Sequence, residues 1–121
     1  MPDYTFYTDA YLGEDIPEDD FPRYAKRAAA KLAYFHQVFR VSARPGIPDA
    51  EDNALCAIAD AMYEFDGEDK RRGLASASVG SVSETYTAPA ELSATTLYLR
   101  ESYFRQVAAD FLLMKRGVRH G

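Results

Sequence analysis

From Phe21 onward, Phe21, Tyr24, Ala28, Leu32, Phe35 and Phe39 follow one another at spacings of 3, 4, 4, 3 and 4. That is a single apolar stripe on a 3.6-residue period, and it predicts an amphipathic helix. Arg23, Lys26, Arg27 and Lys31 fall on the other side. Asp19 or Asp20 opens this helix, and Pro22 fits its first turn, where a missing N–H costs nothing. It should stop before Arg44-Pro45-Gly46, because the residue ahead of a proline resists the helical region. A second helix opens after Pro48, with Asp49 as N-cap and Asp52 three residues on in the capping-box position. Ala54, Leu55, Ile58, Met62 and Phe65 form its apolar face, and Ala54, Ala57, Ala59 and Ala61 let a neighbouring helix come close. Gly67 reads as its stop. A third helix runs from about Ser93 to about Lys115, with Leu97, Phe104, Val107, Ala108, Phe111 and Met114 on one face and Leu112 widening it. Gly117 terminates it.

Two stretches break this rhythm. Residues 3–12 are aromatic-rich, and three rings so near a terminus need cover, so a short helix or turn packing Phe6, Tyr7 and Tyr11 onto the rest is expected. The acidic stretch 13–20 reads as a connector. Between the second and third helices, residues 66–92 hold Gly67, Gly73 and Gly80, the cluster Glu68-Asp69-Lys70-Arg71-Arg72, and a weakly alternating run with Val82, Glu84 and Tyr86 on one side. That run predicts one extended strand, or two with a bend at Gly80. A connection of this length is well above the usual, and such segments are commonly functional. The expected fold is therefore all-α. It is one domain over 1–121, a small bundle of three main helices plus a short N-terminal helix, with a strand- or hairpin-bearing insert at about 66–92 and a flexible tail at 117–121.

Composition narrows the class without choosing a function. With 121 residues, 47% hydrophobic and 27% charged, the chain has the balance of one globular domain. No apolar run approaches the ~20 residues of a membrane helix, and Met1-Pro2-Asp3-Tyr4 has neither the basic start nor the apolar stretch of a signal peptide. A single cysteine, Cys56, excludes an internal disulfide. The net charge of −5 is unevenly placed. Residues 1–20 hold seven acids and no Lys or Arg, while Lys115, Arg116 and Arg119 lie in the last seven residues. Such polarity reads first as an acidic N-terminal lead and a solvated basic tail, and alternatively as a pattern that steers head-to-tail association between copies, whereas a general nucleic-acid binder is normally basic overall.

Signals for chemistry are weak. His36 and His120 belong to no H-E-x-x-H and no C-x-x-C pattern, and His36 reads as an imidazole at the edge of the core. Cys56 lies among alanines and reads as a buried thiol. Asp60 and Glu64, four apart on a helix, read as solvated charges, and Lys70-Arg71-Arg72 as a solvated turn whose field Glu68 and Asp69 cancel. No catalytic residue, metal or cofactor is expected, and the chain reads as a non-enzyme.

Four segments together resemble one family. Ala54-Leu55-Cys56-Ala57-Ile58-Ala59-Asp60-Ala61-Met62-Tyr63 is similar to the A-x-C-x-x-A-D-x-x-Y segment of the head–tail connector (adaptor, or head-completion) proteins of long-tailed bacteriophages. The run Ser76 to Tyr86 resembles that family's S-E-S-x-G-x-x-S-V-x-Y segment, departing at Ala77 and Glu84. Phe111-Leu112-Leu113-Met114-Lys115-Arg116-Gly117-Val118 resembles its closing L-L-Y-R-G-V, and the opening Tyr11-x-Gly13, Ile16-Pro17 and Phe21 is similar as well. The resemblance implies a structural virion protein, assembled in the bacterial host cytoplasm and located in the neck. Its copies form a homo-oligomeric ring, usually twelve-fold, beneath the portal protein. The ring completes the capsid, extends the DNA channel and meets a tail or second neck protein. DNA passes without sequence-specific binding, and no membrane is involved. On this reading Val79, Gly80, Val82 and Tyr86 of the insert make subunit contacts, and the tail Met114, Lys115, Arg116, Gly117, Val118, Arg119 and His120 docks on the portal. The alternatives are another neck component, such as a tail terminator, or a small non-enzymatic bacterial regulator.

Overall fold

The computed structural model describes residues 1–78 and 94–116, with backbone alone over 73–78. Three helices and two short strands build it: α1 (Phe21–Val38), β1 (Phe39–Ala43), α2 (Ala50–Ser78), α3 (Ala94–Ala109) and β2 (Leu112–Arg116), preceded by a π-helical turn at Phe6–Ala10. The protein is mostly helical, as its periodicity predicts. Among the described residues no helix is long and apolar enough to cross a membrane.

The apolar stripe of α1 is buried as read: Phe21, Tyr24, Ala28, Leu32 and Phe35 all lie in the core. It faces α2, whose residues 54–59 are buried on every side, with Ala54, Cys56, Ile58 and Ala59 fully enclosed. The alanines do there what their size allows, bringing helix axes close around a small, densely packed centre. Cys56 is a buried free thiol, and burial, with Asp60 and Asp52 nearby, pushes its pKa up to about 12. That is the structural thiol expected of it.

Both long helices end elsewhere than the periodicity indicates. Helix α1 stops at Val38, five residues early, because Phe39–Ala43 pairs antiparallel with Leu112–Arg116 in the register Phe39↔Arg116, Val41↔Met114, Ala43↔Leu112. Helix α3 correspondingly ends at Ala109 rather than near Lys115. The Arg44 side chain fixes that end: its Nε donates to the Ala109 carbonyl at 2.6 Å, while the Arg44 N–H donates to the Phe111 carbonyl at 3.0 Å. A guanidinium on an orphan carbonyl at a helix C-terminus satisfies the acceptor and complements the dipole. The described strands therefore lie at Phe39–Ala43 and Leu112–Arg116, where helix was expected. Met114, Lys115 and Arg116 are not part of a free tail but form the end of a two-stranded ribbon.

Helix α2 departs in the opposite sense. It runs through Gly67 to Ser78, so the start of the expected insert is helical. A Cβ at Gly67 would meet only the Arg71 guanidinium at 3.5 Å, so this glycine serves no turn and no close approach. Lys70, Arg71 and Arg72 are solvent-exposed as read, but they stand on this helix rather than in a turn, and the acids before them are engaged. Arg100 of α3, its side chain only 12% exposed, takes Asp69 in a two-point grip at 3.0 and 2.9 Å and reaches Glu68 at 3.5 Å. Its guanidinium also lies 4.5 Å from the centre of the Phe65 ring. Lys31 of α1 holds Glu101 of α3 at 2.7 Å, and Arg27 with Tyr24 of α1 holds Asp66 of α2 at 2.8 and 2.6 Å. These pairs stitch all three helices together along one side. The Arg100 hydrogen bonds keep Asp69 below the usual carboxylate range. Burial pulls Asp66 up, but the Arg27 and Tyr24 hydrogen bonds outweigh it and leave that carboxyl lowered too.

Candidate interaction surface

The N-terminal segment is tied down as a small aromatic lobe. Tyr7 is fully buried, its ring 5.1 Å from Phe21, 5.6 Å from Tyr4 and 5.9 Å from Tyr11, and Tyr11 reaches Phe111 at 6.4 Å. The Tyr7 hydroxyl donates to Asp60 and accepts from the Asp15 and Ile16 N–H groups at 3.2 and 3.0 Å. Asp60 is thus no solvated carboxylate: burial raises its pKa, with the Tyr7 hydrogen bond pulling the other way. The same contacts give a physical role to the Ala54–Tyr63 segment. Ala54, Cys56 and Ala59 are its buried small residues, Asp60 is its link to the lobe, and Tyr63 stands edge-on to Tyr24 at 5.3 Å. It is a packing motif.

Opposite demands act on the next residues. Gly13 lies directly against the Tyr7 ring, where a Cβ would come within 2.2 Å of Cε1. The preceding Leu12 is left with φ +66, a left-handed conformation that branched side chains rarely adopt, and its side chain is 72% exposed. Asp9, Glu14 and Asp15 around it are exposed as well.

The second surface lies where α1, α3 and the ribbon meet. Tyr34 and Val38 at the end of α1, Phe39 of β1, Tyr98 and Arg105 of α3 and Arg116 of β2 line a groove of about 380 Å³. A second groove of about 470 Å³ shares Phe39 and Arg105 and adds Arg44, Leu113 and Lys115. Strand pairing places the cations: Arg40 and Lys115 stand opposite each other on the outer face, with Arg116 opposite Phe39. Among the described residues, none of Arg40, Arg44, Arg105, Lys115 and Arg116 has a carboxylate within ion-pair distance, whereas Arg27, Lys31 and Arg100 all do.

Helix α3 supplies the apolar part. Of its 16 residues only Ala108 is buried, while Leu97, Tyr98, Leu99 and Tyr103 are 52%, 65%, 59% and 41% exposed. Three consecutive apolar residues, Leu97-Tyr98-Leu99, cannot all face one neighbour, since successive positions turn by about 100°. Exposed apolar area gathered on one element marks a contact surface.

The residues singled out in the sequence fall as follows. Met114 is half-buried against the core, and Lys115 and Arg116 are exposed beside the grooves. Val79, Gly80, Val82 and Tyr86, and likewise Gly117, Val118, Arg119 and His120, lie outside the described residues. Leu97 was expected to face the core and instead faces solvent. His36 is exposed rather than at the core edge, its Nε2 2.6 Å from Glu51. Leu12, Tyr34, Val38 and Arg105 carry no local sequence signal for this surface, and for Tyr98 the signal is the consecutive apolar run on α3. Among the described residues, no group of three or more His, Cys, Asp or Glu is placed to hold a metal ion. No protein-family model matches the chain, and neither a curated protein nor a solved structure matches it significantly.

Proposed function

We propose that this chain is a structural, non-enzymatic subunit of a phage neck, a head–tail connector that assembles as a ring beneath the portal and joins head to tail. The resemblance of four ordered segments supplies the family. The observation in the structure that supports an assembly role is the surface just described, a groove with apolar walls and with Arg105 and Arg116 at its rim, neither within ion-pair distance of a described carboxylate, beside a helix that displays four large apolar side chains. A side chain leaves the core at a cost of about 1.5–3 kcal/mol relative to burial. A surface that leaves several outside, flanked by unneutralised charge, gains on meeting an acidic, apolar counterpart. A conduit for DNA also suits a net negative chain, because tight phosphate binding would impede passage.

The test is native mass spectrometry and electron microscopy of the chain with and without purified phage portal protein. The expected result is a ring, twelve-fold where the portal is, seated on the portal. Removal of residues 117–121 should spare folding and abolish attachment to portal-bearing capsids. A chain that never binds the portal overturns the neck reading. A salt-dependent mobility shift with duplex DNA, without portal binding, would favour the regulator instead.

A further inference from the structure

We infer that the groove between α1 and α3 is the socket for Leu12 of a second copy, so that copies join head to tail by seating the acidic N-terminal lobe of one on the cationic ribbon of the next. The inference rests on the reading of that groove as a protein-binding surface and names its occupant.

Two independent observations meet here. The first is the lobe. Leu12 adopts the left-handed region at φ +66 with its side chain 72% exposed. For a branched residue that conformation costs about 1–2 kcal/mol, and among the described residues no packing of the side chain offsets it, since Leu12 is 72% exposed. The conformation is imposed from both sides. Tyr11 is held against Tyr7 and Phe111, and Gly13 is clamped under the Tyr7 ring with its N–H donating to the Tyr7 carbonyl at 2.8 Å. A rigid base therefore lifts one apolar side chain clear of the surface, with Asp9, Glu14 and Asp15 around it. Strained residues that a surrounding structure over-determines are characteristic of contact and recognition sites.

The second is the groove. Tyr34, Val38, Phe39 and Tyr98 give it apolar walls, and Arg105 and Arg116 stand at its rim. The one carboxylate in its lining, Glu101, is neutralised by Lys31 at 2.7 Å. An apolar socket with a positive rim matches an apolar plug within a negative collar. Leu12 does not fill the groove of its own chain, since it is exposed; the occupant is another copy. Plug and socket are different surfaces, so each contact leaves one of each free, and the chain propagates or closes into a ring. A single loop in a groove is a small interface, so each contact is weak on its own and closure supplies the rest.

The test uses the full chain in sedimentation velocity, from micromolar to millimolar concentration. Leu12→Asn removes the plug while accepting the left-handed backbone, and it should weaken self-association about 10- to 100-fold, the burial of one leucine converted to an equilibrium constant, with an equal or higher melting temperature. Tyr98→Glu closes the socket, and Arg116→Glu serves as a second socket variant at an exposed position. Each variant alone should be monomeric where the wild type associates. Mixed one to one, the plug variant and a socket variant should form a heterodimer and nothing larger, and the association should weaken as salt is raised. Any of three results overturns the inference: a wild type that stays monomeric throughout, a Leu12→Asn variant that assembles like the wild type, or a mixture that remains monomeric. A wild type that binds the portal yet never meets its own copies would sink this contact and leave the neck reading standing. Self-association through Leu12 with no portal binding would do the reverse.

Discussion

Gly13→Ala tests whether the lobe is built as described. An added Cβ would stand 2.2, 2.3 and 2.8 Å from Cε1, Cζ and Cδ1 of Tyr7. Carbon atoms rest near 3.5–4.0 Å, so the ring or the loop must retreat by more than an ångström. Tyr7 has no room to do so: it is fully buried, in contact with Tyr4, Tyr11 and Phe21, and its hydroxyl is engaged three times. Overpacking of this kind costs about 1–3 kcal/mol, and each hydrogen bond lost from the hydroxyl adds about 1 kcal/mol. The expected loss is thus about 3–5 kcal/mol, a large part of the ~5–15 kcal/mol that holds a domain together. At about 4 °C per kcal/mol for a chain of this size, the melting temperature should fall by ~12–20 °C. Urea denaturation of Gly13→Ala, Tyr7→Leu and the double variant separates the clash from general damage. With the ring gone the methyl has space, so the two changes should be strongly non-additive, the double variant being little worse than Tyr7→Leu alone. A Gly13→Ala protein within about 0.5 kcal/mol of the wild type, or two effects that simply add, would refute the packing of the lobe and with it the forced display of Leu12.

Three further outcomes are expected. Gly67→Ala should stabilise the protein by about 0.5–1 kcal/mol in denaturant titration, because the position is helical and open to a methyl group; destabilisation would mean that α2 breaks there. Arg100→Lys should cost about 1–2 kcal/mol and Arg100→Ala about 2–3 kcal/mol, the first because an ammonium cannot reproduce the two-point grip on Asp69; equal stability of Arg100→Lys and wild type would show that the grip contributes nothing. The third concerns pH. Burial raises the Asp60 carboxyl above its unfolded value of about 3.9, so its contribution is complete below that value and is lost as pH rises through the raised one. Asp69, held low chiefly by the Arg100 hydrogen bonds, contributes above its unfolded value and loses that contribution as pH falls through its lowered one. The stability of Asp60→Asn relative to wild type should therefore rise from pH 4 toward neutrality, in denaturation curves taken across that range. A relative stability that falls instead would mean that the Tyr7 hydrogen bond outweighs burial.

What could be read from the chain is what depends on neighbours in sequence. The 3.6-residue stripe placed α1, and the alanine-rich face with Ile58 and Met62 placed the heart of α2, because one buried face per helix is a local pattern. Phe39 shows where such reading ends. It continues the helical stripe four residues after Phe35, yet it also begins the alternation Phe39-Arg40-Val41-Ser42-Ala43 of a strand. Nothing local decides between the two. The partner that does, Leu112–Arg116, is some seventy residues away and is rich in leucine, methionine, lysine and arginine, all good helix formers. Gly67 misled for the converse reason: a glycine weakens a helix but does not end one whose next turn is anchored, and Arg100 of α3 anchors Glu68 and Asp69. Of the proposed surface, the cations Lys115 and Arg116 were legible as charge. The rim they form with Arg105, and the exposure of Tyr98, exist only once α1, α3 and the ribbon converge.

The arrangement of charge ties these findings together. Where Arg27, Lys31 and Arg100 face carboxylates, the pairs cross from one helix to another and hold the bundle shut. Where Arg40, Arg105, Lys115 and Arg116 face solvent, no described carboxylate has been brought to them, although the chain carries an excess of acids. A fold selected for its own stability alone would gain by distributing those acids. Instead seven are collected in residues 1–20, beside a lobe held by aromatic packing and by the Tyr7–Asp60 hydrogen bond. Segregation of this kind gains nothing within a single copy, since exposed charges far apart are screened. It gains when the acidic lobe of one molecule meets the cationic ribbon of another, and the same charges then discourage two lobes or two ribbons from pairing. Direction is thereby built into the contact, which a ring of identical subunits requires and a symmetric dimer does not.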